Sequence, residues 1–359
     1  MRRVFTTTAI ALGLVLAALC LGSFAPQSGV VRAATANPCT FTTSGKTMTL
    51  NGDCTTDASI IVPNGFTLDG TGHTITAVDP MGGHFTGGVI KNGGATANVR
   101  DVHITTSALA DMCDVGAARL RGILFDGASG AISGNDIVDI NQGASGCQEG
   151  NAIEIRNFGS SPSTSRVSVD GNTLTGYQKT GVVCNGNADC TITDNTVDGG
   201  GPVSYIARNG IQVGFGATGM VKRNTVSGNS YTGGDVSGGI IVVGGPGYGL
   251  GLDFCRNVQV MQNTISESDV GVFLSQYEAD FSAPATATNI KVVNNTISNA
   301  GVTNGYVYQA GVSDVGNNDK IIANRISGIG YDPNTMPGST FSVDADPSFT
   351  NRPKVHANK

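Results

Sequence analysis

The sequence predicts an all-β protein, a single chain wound into a parallel β-helix of about nine coils. Three observations lead there. Glycine is abundant, 52 of 359 residues, yet follows no G-X-Y period, while only 13% of residues are charged and 39% are apolar. That composition excludes collagen, disorder and a charge-laced helical bundle, and leaves a β protein with many tight turns. Apolar residues alternate in runs of three to six, the signature of short strands with one buried face. Finally, one unit recurs along most of the chain.

The chain opens with an address. Met1-Arg2-Arg3 is basic, Val4 to Leu21 is mostly apolar without charge, and Ala34-Thr35-Ala36 offers a small-residue cleavage site before Asn37. Residues 1–36 are therefore expected to be a signal peptide, and the mature protein to be secreted. No later apolar run reaches the ~18 residues of a membrane span. With 21 basic against 27 acidic side chains, net −6, nothing calls for nucleic acid or an anionic membrane as partner. A monomer is expected.

Residues 37–65 read as an N-terminal cap. Cys39 and Cys54 flank Thr47-Met48-Thr49-Leu50-Asn51-Gly52, a strand and a turn, so a 39–54 disulfide should close that hairpin. Metal binding by the cysteines is a poor alternative, because there is no C-x2-C pair and only four histidines occur.

Residues 66–330 carry the repeat. An apolar-x-apolar-x-x-Asn-x-apolar pattern runs through Asn135, Asn172, Asn195, Asn224, Asn263, Asn295 and Asn324, with degenerate copies at Val99 to Ile104 and Phe66 to Ile75. Between successive Asn positions falls a second unit, as in Gly122-Ile123-Leu124-Phe125, Gly210-Ile211-Gln212-Val213 and Gly271-Val272-Phe273-Leu274. Asn172 and Asn195 are 23 residues apart, room for three short strands and their turns, which is one coil. Asn at one corner suits a ladder of side-chain amides, and suits the left-handed backbone of a sharp turn. Ile153, Ile155, Val167, Val169, Ile192, Ile211, Val213, Val221, Ile240, Val242, Val258 and Val260 should point into one core. The tail, 331–359, loses the repeat and holds Pro333, Pro337, Pro347 and Pro353; it either covers the last coil or trails in solvent.

Cys113 and Cys147 lie in loops entering one corner on consecutive coils, where stacking can bring them to disulfide distance. Cys184 and Cys190 occupy inward slots across one corner of one coil. They are either bonded or two small apolar side chains, and the bond is expected; Cys255 is left free.

These Asn-Thr-Ile and Gly-Ile-x-Val units resemble those of right-handed parallel β-helix proteins of the exported bacterial type, the pectate-lyase-like superfold. The resemblance covers roughly residues 60 to 330 and implies right-handed coils. It also implies that sugars lie on the outer face of the sheet made by the Gly-Ile-x-Val strands. Alternation then gives the outward rows: Leu124, Glu154, Val183, Gln212, Ile241, Phe273 and Ser313, beside Asp126, Arg156, Asn185, Gly214, Val243 and Ser275. Polar chemistry concentrates from Asp126 to Gln212, which should be the open groove. The insertions 244–257 and 276–289 should fold over the apolar strip beyond it.

The expected partner is an extracellular, acidic polysaccharide. A lyase acting on a uronide needs a base for the C5 proton and a cation to stabilise the enolate. Glu154, Arg156, Lys179 and Arg208 are the candidate catalytic set. Asp126, Tyr177, Asn185, Gln212 and Tyr231 are candidate substrate contacts. A glycosidase would instead pair Asp126 or Glu149 with Glu154. Asp111-x-x-Asp114 could hold Ca²⁺, although no loop has the EF-hand pattern. The familiar Asn-Thr-Asp, Asp-Asp and Gly-His-Gly set of polygalacturonases is absent, and so is a Trp-Ile-Asp-His segment. The alternative reading is therefore a non-catalytic β-helix that binds a glycan or a surface partner through the same face.

Overall fold

The computed structural model describes residues 37–249 and 251–359, so the expected signal peptide lies outside the described residues. Three long sheets wrap one axis as a right-handed parallel β-helix. A twelve-stranded side sheet, a ten-stranded back sheet and a ten-stranded front sheet each take one strand per coil. In a representative coil Ser165–Asp170 lies in the side sheet, Thr173–Thr175 in the back sheet and Thr180–Gly186 in the front sheet. Among the described residues every strand pairing is parallel except that of Phe41–Ser44 with Thr47–Leu50 at the entry end.

Alternation decides what is inside. All twelve aliphatic residues expected in the core are at most 3% exposed and belong to one continuous cluster. The glycine near the start of most front strands has a steric reason. A Cβ on Gly210 would lie 2.5 Å from the carbonyl oxygen of Gly239 and 2.5 Å from Val226 Cγ1, so only hydrogen fits.

The asparagine ladder is continuous. From Asn135 through Asn172, Asn195, Asn224, Asn263, Asn295 and Asn324, each side-chain Nδ2 donates to the next Oδ1 at 2.8–3.0 Å. Each Oδ1 also accepts the backbone N–H of the preceding rung's Asn. The ladder departs from expectation in one respect. The left-handed residue is the one before the Asn: Asp194, Arg223, Gln262, Asn294 and Ala323 have φ of 55–58°. The ladder Asn needs its side chain turned inward to reach the next coil, and the residue before it absorbs the bend.

The cap and tail boundaries also move. Cys54–Thr56 and Ile60–Val62 already belong to the back and front sheets, so coiling starts within the expected cap. The tail neither trails nor merely covers. Thr340–Asp344 pairs with Gln309–Val315, Lys354–His356 pairs with Lys320–Ile322, and Asn358 adds a last rung to the ladder. Disulfides join Cys39 to Cys54, Cys113 to Cys147 and Cys184 to Cys190, while Cys255 is free and buried, all as expected. Among the described residues no helix is long and apolar enough to cross a membrane.

Candidate functional site

The outer face of the front sheet, read from the first coils to the last, holds three distinct stretches. The first is charged and roofed. Arg121 grips Glu154 with two bonds, Nε to Oε2 at 2.7 Å and Nη2 to Oε1 at 3.3 Å, and both side chains are almost fully buried. Asn151 Nδ2 donates to the same Oε2 at 2.9 Å. Across the same two strands, at their far ends, Arg156 donates from Nε and Nη2 to Asp126 Oδ2 at 3.1 and 2.6 Å. Burial raises the Asp126 carboxyl, but hydrogen bonds from Arg156 and Ser160 outweigh it and hold it below the usual carboxylate range.

The roof is the segment 107–120, pinned from several sides. The Cys113–Cys147 bond ties it to the next coil, and the Asp114 N–H donates to Glu149. Asp114 Oδ2 pairs with His84 Nε2 at 2.9 Å, and the carbonyl of Gly116 accepts from Arg121 Nη2 at 3.0 Å. The early coils are therefore not the open groove that their polarity suggested. Leu124 is fully buried in its outward slot and Glu154 is 5% exposed. Long loops can cover polar strands as readily as apolar ones when backbone carbonyls satisfy the cations beneath.

Tyr177, Lys179 and Arg208 form a separate cluster at the corner leading into the front sheet. Tyr177 points into the core, fully buried, with its hydroxyl donating to Asn229 Oδ1 at 2.7 Å; it is not on the sugar-facing side. Arg208 lies over the Tyr177 ring at 5.8 Å, donates to the carbonyl of Gly199 and bonds the Tyr205 hydroxyl at 2.7 Å. Lys179 Nζ donates to the carbonyl of Ala207, and burial pulls its ammonium down to about 8. No hydrogen bond or ion pair joins this cluster to Glu154 or Arg156 among the described residues, so the four expected catalytic side chains form two groups. Glu149 accepts backbone N–H groups from Asp114 and Leu120 and is fully buried, a loop anchor with no second free carboxyl beside it. Tyr231 sits half-buried on the rim, its backbone N–H bonded to Asp269.

The middle stretch is polar. Gln212 Nε2 donates to Asn185 Oδ1 at 3.0 Å, linking two coils, and Gln212 is half-buried. The last stretch is where tyrosines gather, none of which stood out from the repeat. Tyr248, from the 245–257 loop, reaches over to Ser275 and hydrogen-bonds its Oγ. Tyr308 donates to Asp344 Oδ2 at 2.6 Å and lies 2.9 Å from Ser313 Oγ. Burial, then the nearby Asp344 carboxylate, pushes the Tyr308 phenol well above its ordinary value, so it stays a donor. The expected cover of the apolar strip is thus partial, with Phe273 half-buried.

Along the edge where front strands end, a row of rings runs parallel to the axis. Phe158, Phe215, Tyr248, Tyr277 and Phe281 follow one another with centroids 6.0–6.4 Å apart. Sequence reading missed this row and Arg121. The rings sit in turns of unequal length, outside the period, and Arg121 precedes the Gly-Ile-x-Phe unit. Its signal was a cation at a strand start, one coil from an outward Glu.

Of the pair Asp111 and Asp114, Asp114 is engaged by His84. Among the described residues no three His, Cys, Asp or Glu side chains stand close enough to share a metal ion.

No family model matches this chain, and no curated protein matches it. Among solved structures it is similar to the Dettilon tailspike protein gp208, with a TM-score of 0.52 and 15% identity over 85% of this chain. The chain spans about half of that tailspike, 53% of its length. At that identity the likeness concerns the fold alone.

Proposed function

We propose that this chain is an exported β-helix protein that binds a polysaccharide along the outer face of its front sheet and holds it without cleaving it. One observation carries the reading. Successive coils place Asp126, Arg156 and Asn185 on one face, in register, one strand apart, and Gln212, from the neighbouring row one coil on, hydrogen-bonds Asn185. Such a row repeats every ~4.8 Å and matches a linear polymer better than a compact ligand. The three disulfides suit an oxidising compartment, and export through residues 1–36 completes the reading.

Lyase-type β-elimination is the second reading, favoured by the lowered Lys179 ammonium. Against it stands the engagement of each candidate group. Glu154 is neutralised by Arg121, Arg156 by Asp126, and Lys179 and Arg208 are spent on backbone carbonyls.

The test is a panel of polysaccharides scored twice, for retardation of the protein in polymer-loaded gels and for ultraviolet absorbance of unsaturated product. Binding with no product is expected, weakened by Gln212→Ala. Steady release of unsaturated product, abolished by Lys179→Met, would replace the binding reading with the lyase one. Absence of binding to every polymer would end both.

A further inference from the structure

Five aromatic rings along one edge of a sheet call for an occupant. Phe158 is 56% exposed, Phe281 39% and Tyr248 38%. From the strand Asn151–Asn157 to Val270–Gln276 is four coil steps, roughly 19 Å of track. The intermediate coil has no ring of its own, and there Phe158 lies over Gly186: a Cβ on that glycine would stand 3.1 Å from the ring. The row is therefore continuous, and leaving its ring faces in water is unfavourable by about 25 cal/mol for each Å² that a ligand would cover.

We propose that this row is the stacking track for a neutral polysaccharide lying along the coil axis. It rests on the glycan reading above and names the substrate class of that face. A pyranose presents an apolar C–H face and a rim of hydroxyls. The rings offer the matching apolar surface, and the adjacent strip offers Asn185, Gln212 and Asp126 for the hydroxyls.

Charge selects neutral over acidic. Arg156, the cation nearest the track on the sheet, already carries two bonds to Asp126, and Arg121 is buried on Glu154. Lys91 is the remaining cation on this face among the described residues, and its strand lies two coils before that of Phe158. Beside the rings stands an exposed carboxylate instead, Asp253, whose Cβ would lie 3.2 Å from a Cβ on Gly216, the residue after Phe215. A polyuronate would meet that charge, while the loop cation nearest it, Arg256, lies over the Phe254 ring and is bonded to the Phe254 carbonyl and to Thr286 Oγ1.

The experiment is affinity electrophoresis of the mature chain in gels cast with soluble galactomannan, xyloglucan or arabinoxylan, and in parallel with polygalacturonate and alginate. Retardation by at least one neutral polymer is expected, insensitive to salt. Phe158→Ala and Tyr248→Ala should each weaken it roughly tenfold or more, while Phe158→Tyr keeps it. Circular dichroism of these exposed-site variants confirms that the coils persist. Retardation by polyuronates alone, or neutral binding untouched by both ring variants, would overturn the track and leave the glycan reading standing. No retardation by any polymer overturns both. A concentration-dependent dimer lost in Phe158→Ala, without glycan binding, would assign the rings to a second copy of the chain and likewise overturn the proposal.

Discussion

Asn224 shows how much a single side chain can hold. Its Oδ1 accepts both the backbone N–H and the Nδ2 of Asn195, at 3.0 and 2.9 Å, while its own Nδ2 reaches the carbonyl of Ile192 at 3.0 Å. Asn224→Ala would orphan the buried Asn195 backbone N–H, take one bond from Asn195 Nδ2, which keeps the carbonyls of Val169 and Thr193, and remove the side-chain donor to the Ile192 carbonyl. Orphaned buried groups cost about 1–3 kcal/mol each, partly relieved by relaxation, so a loss of about 2–5 kcal/mol in urea unfolding is expected. Thr225→Ala, at an exposed neighbouring site, should stay within about 0.5 kcal/mol. Equal effects from the two variants would deny the ladder its energetic role. The ladder was legible because Asn recurred at a fixed place in a periodic pattern. The roles of Lys179 and Arg208 were not, because nothing in a sequence says whether a loop cation meets a ligand or a backbone carbonyl. Here both meet carbonyls.

At the scale of the element, the segment 107–120 decides what the front sheet exposes. Its strands were readable from alternation, but the covering loop has no period, and its position follows from contacts far apart in sequence: the disulfide to Cys147, the His84–Asp114 pair and the Gly116 carbonyl over Arg121. The cysteine pairing could be anticipated from coil stacking; the roof it makes could not. The double variant Cys113→Ser, Cys147→Ser should lose about 3–4 kcal/mol of stability through the freed 34-residue span, in the chain-entropy account. It should also raise amide exchange across 107–120 to near-solvent rates, while Arg121–Asp126 stays protected within the sheet. Unchanged exchange across the segment would show that the ion pair and the carbonyl contacts hold the roof without the bond.

The whole molecule is a stack in which each coil is stabilised chiefly by its neighbours, so a defect should act locally. The inward slot filled by Leu274 becomes Asp314 one coil later, a substitution against the core pattern. Asp314 and Asp319 are 2% and 0% exposed. Asp319 Oδ1 accepts from Thr288 Oγ1 and the Ile290 N–H, both at 2.7 Å, and Asp314 Oδ2 accepts from Thr350 Oγ1 at 3.1 Å. The other two oxygens, Asp314 Oδ1 and Asp319 Oδ2, have no donor. They border the same point: a Cβ on Gly316 would lie 1.9 Å from one and 3.0 Å from the other. Burial raises both carboxyls above the usual range, and the charge of Asp314 raises Asp319 further. Two such groups side by side retain one proton between them. The sign follows from linkage. With folded values above the unfolded ones, the native state binds more protons, so this contribution is full below the ordinary carboxylate range and is lost as pH rises through the elevated values. The loss should fall on the last coils, where Thr350 and the pairing of Thr340–Asp344 depend on Asp314 and its strand. Hydrogen exchange, corrected for the intrinsic base-catalysed rate, should therefore show residues 309–356 opening between mildly acidic and mildly alkaline pH while the coils around Asn195 stay closed. Asp319→Asn supplies a permanent donor to Asp314 and should flatten that dependence. If the variant opens with pH as the native chain does, the two carboxyls do not share a proton, and the terminal coils owe their pH response to another group.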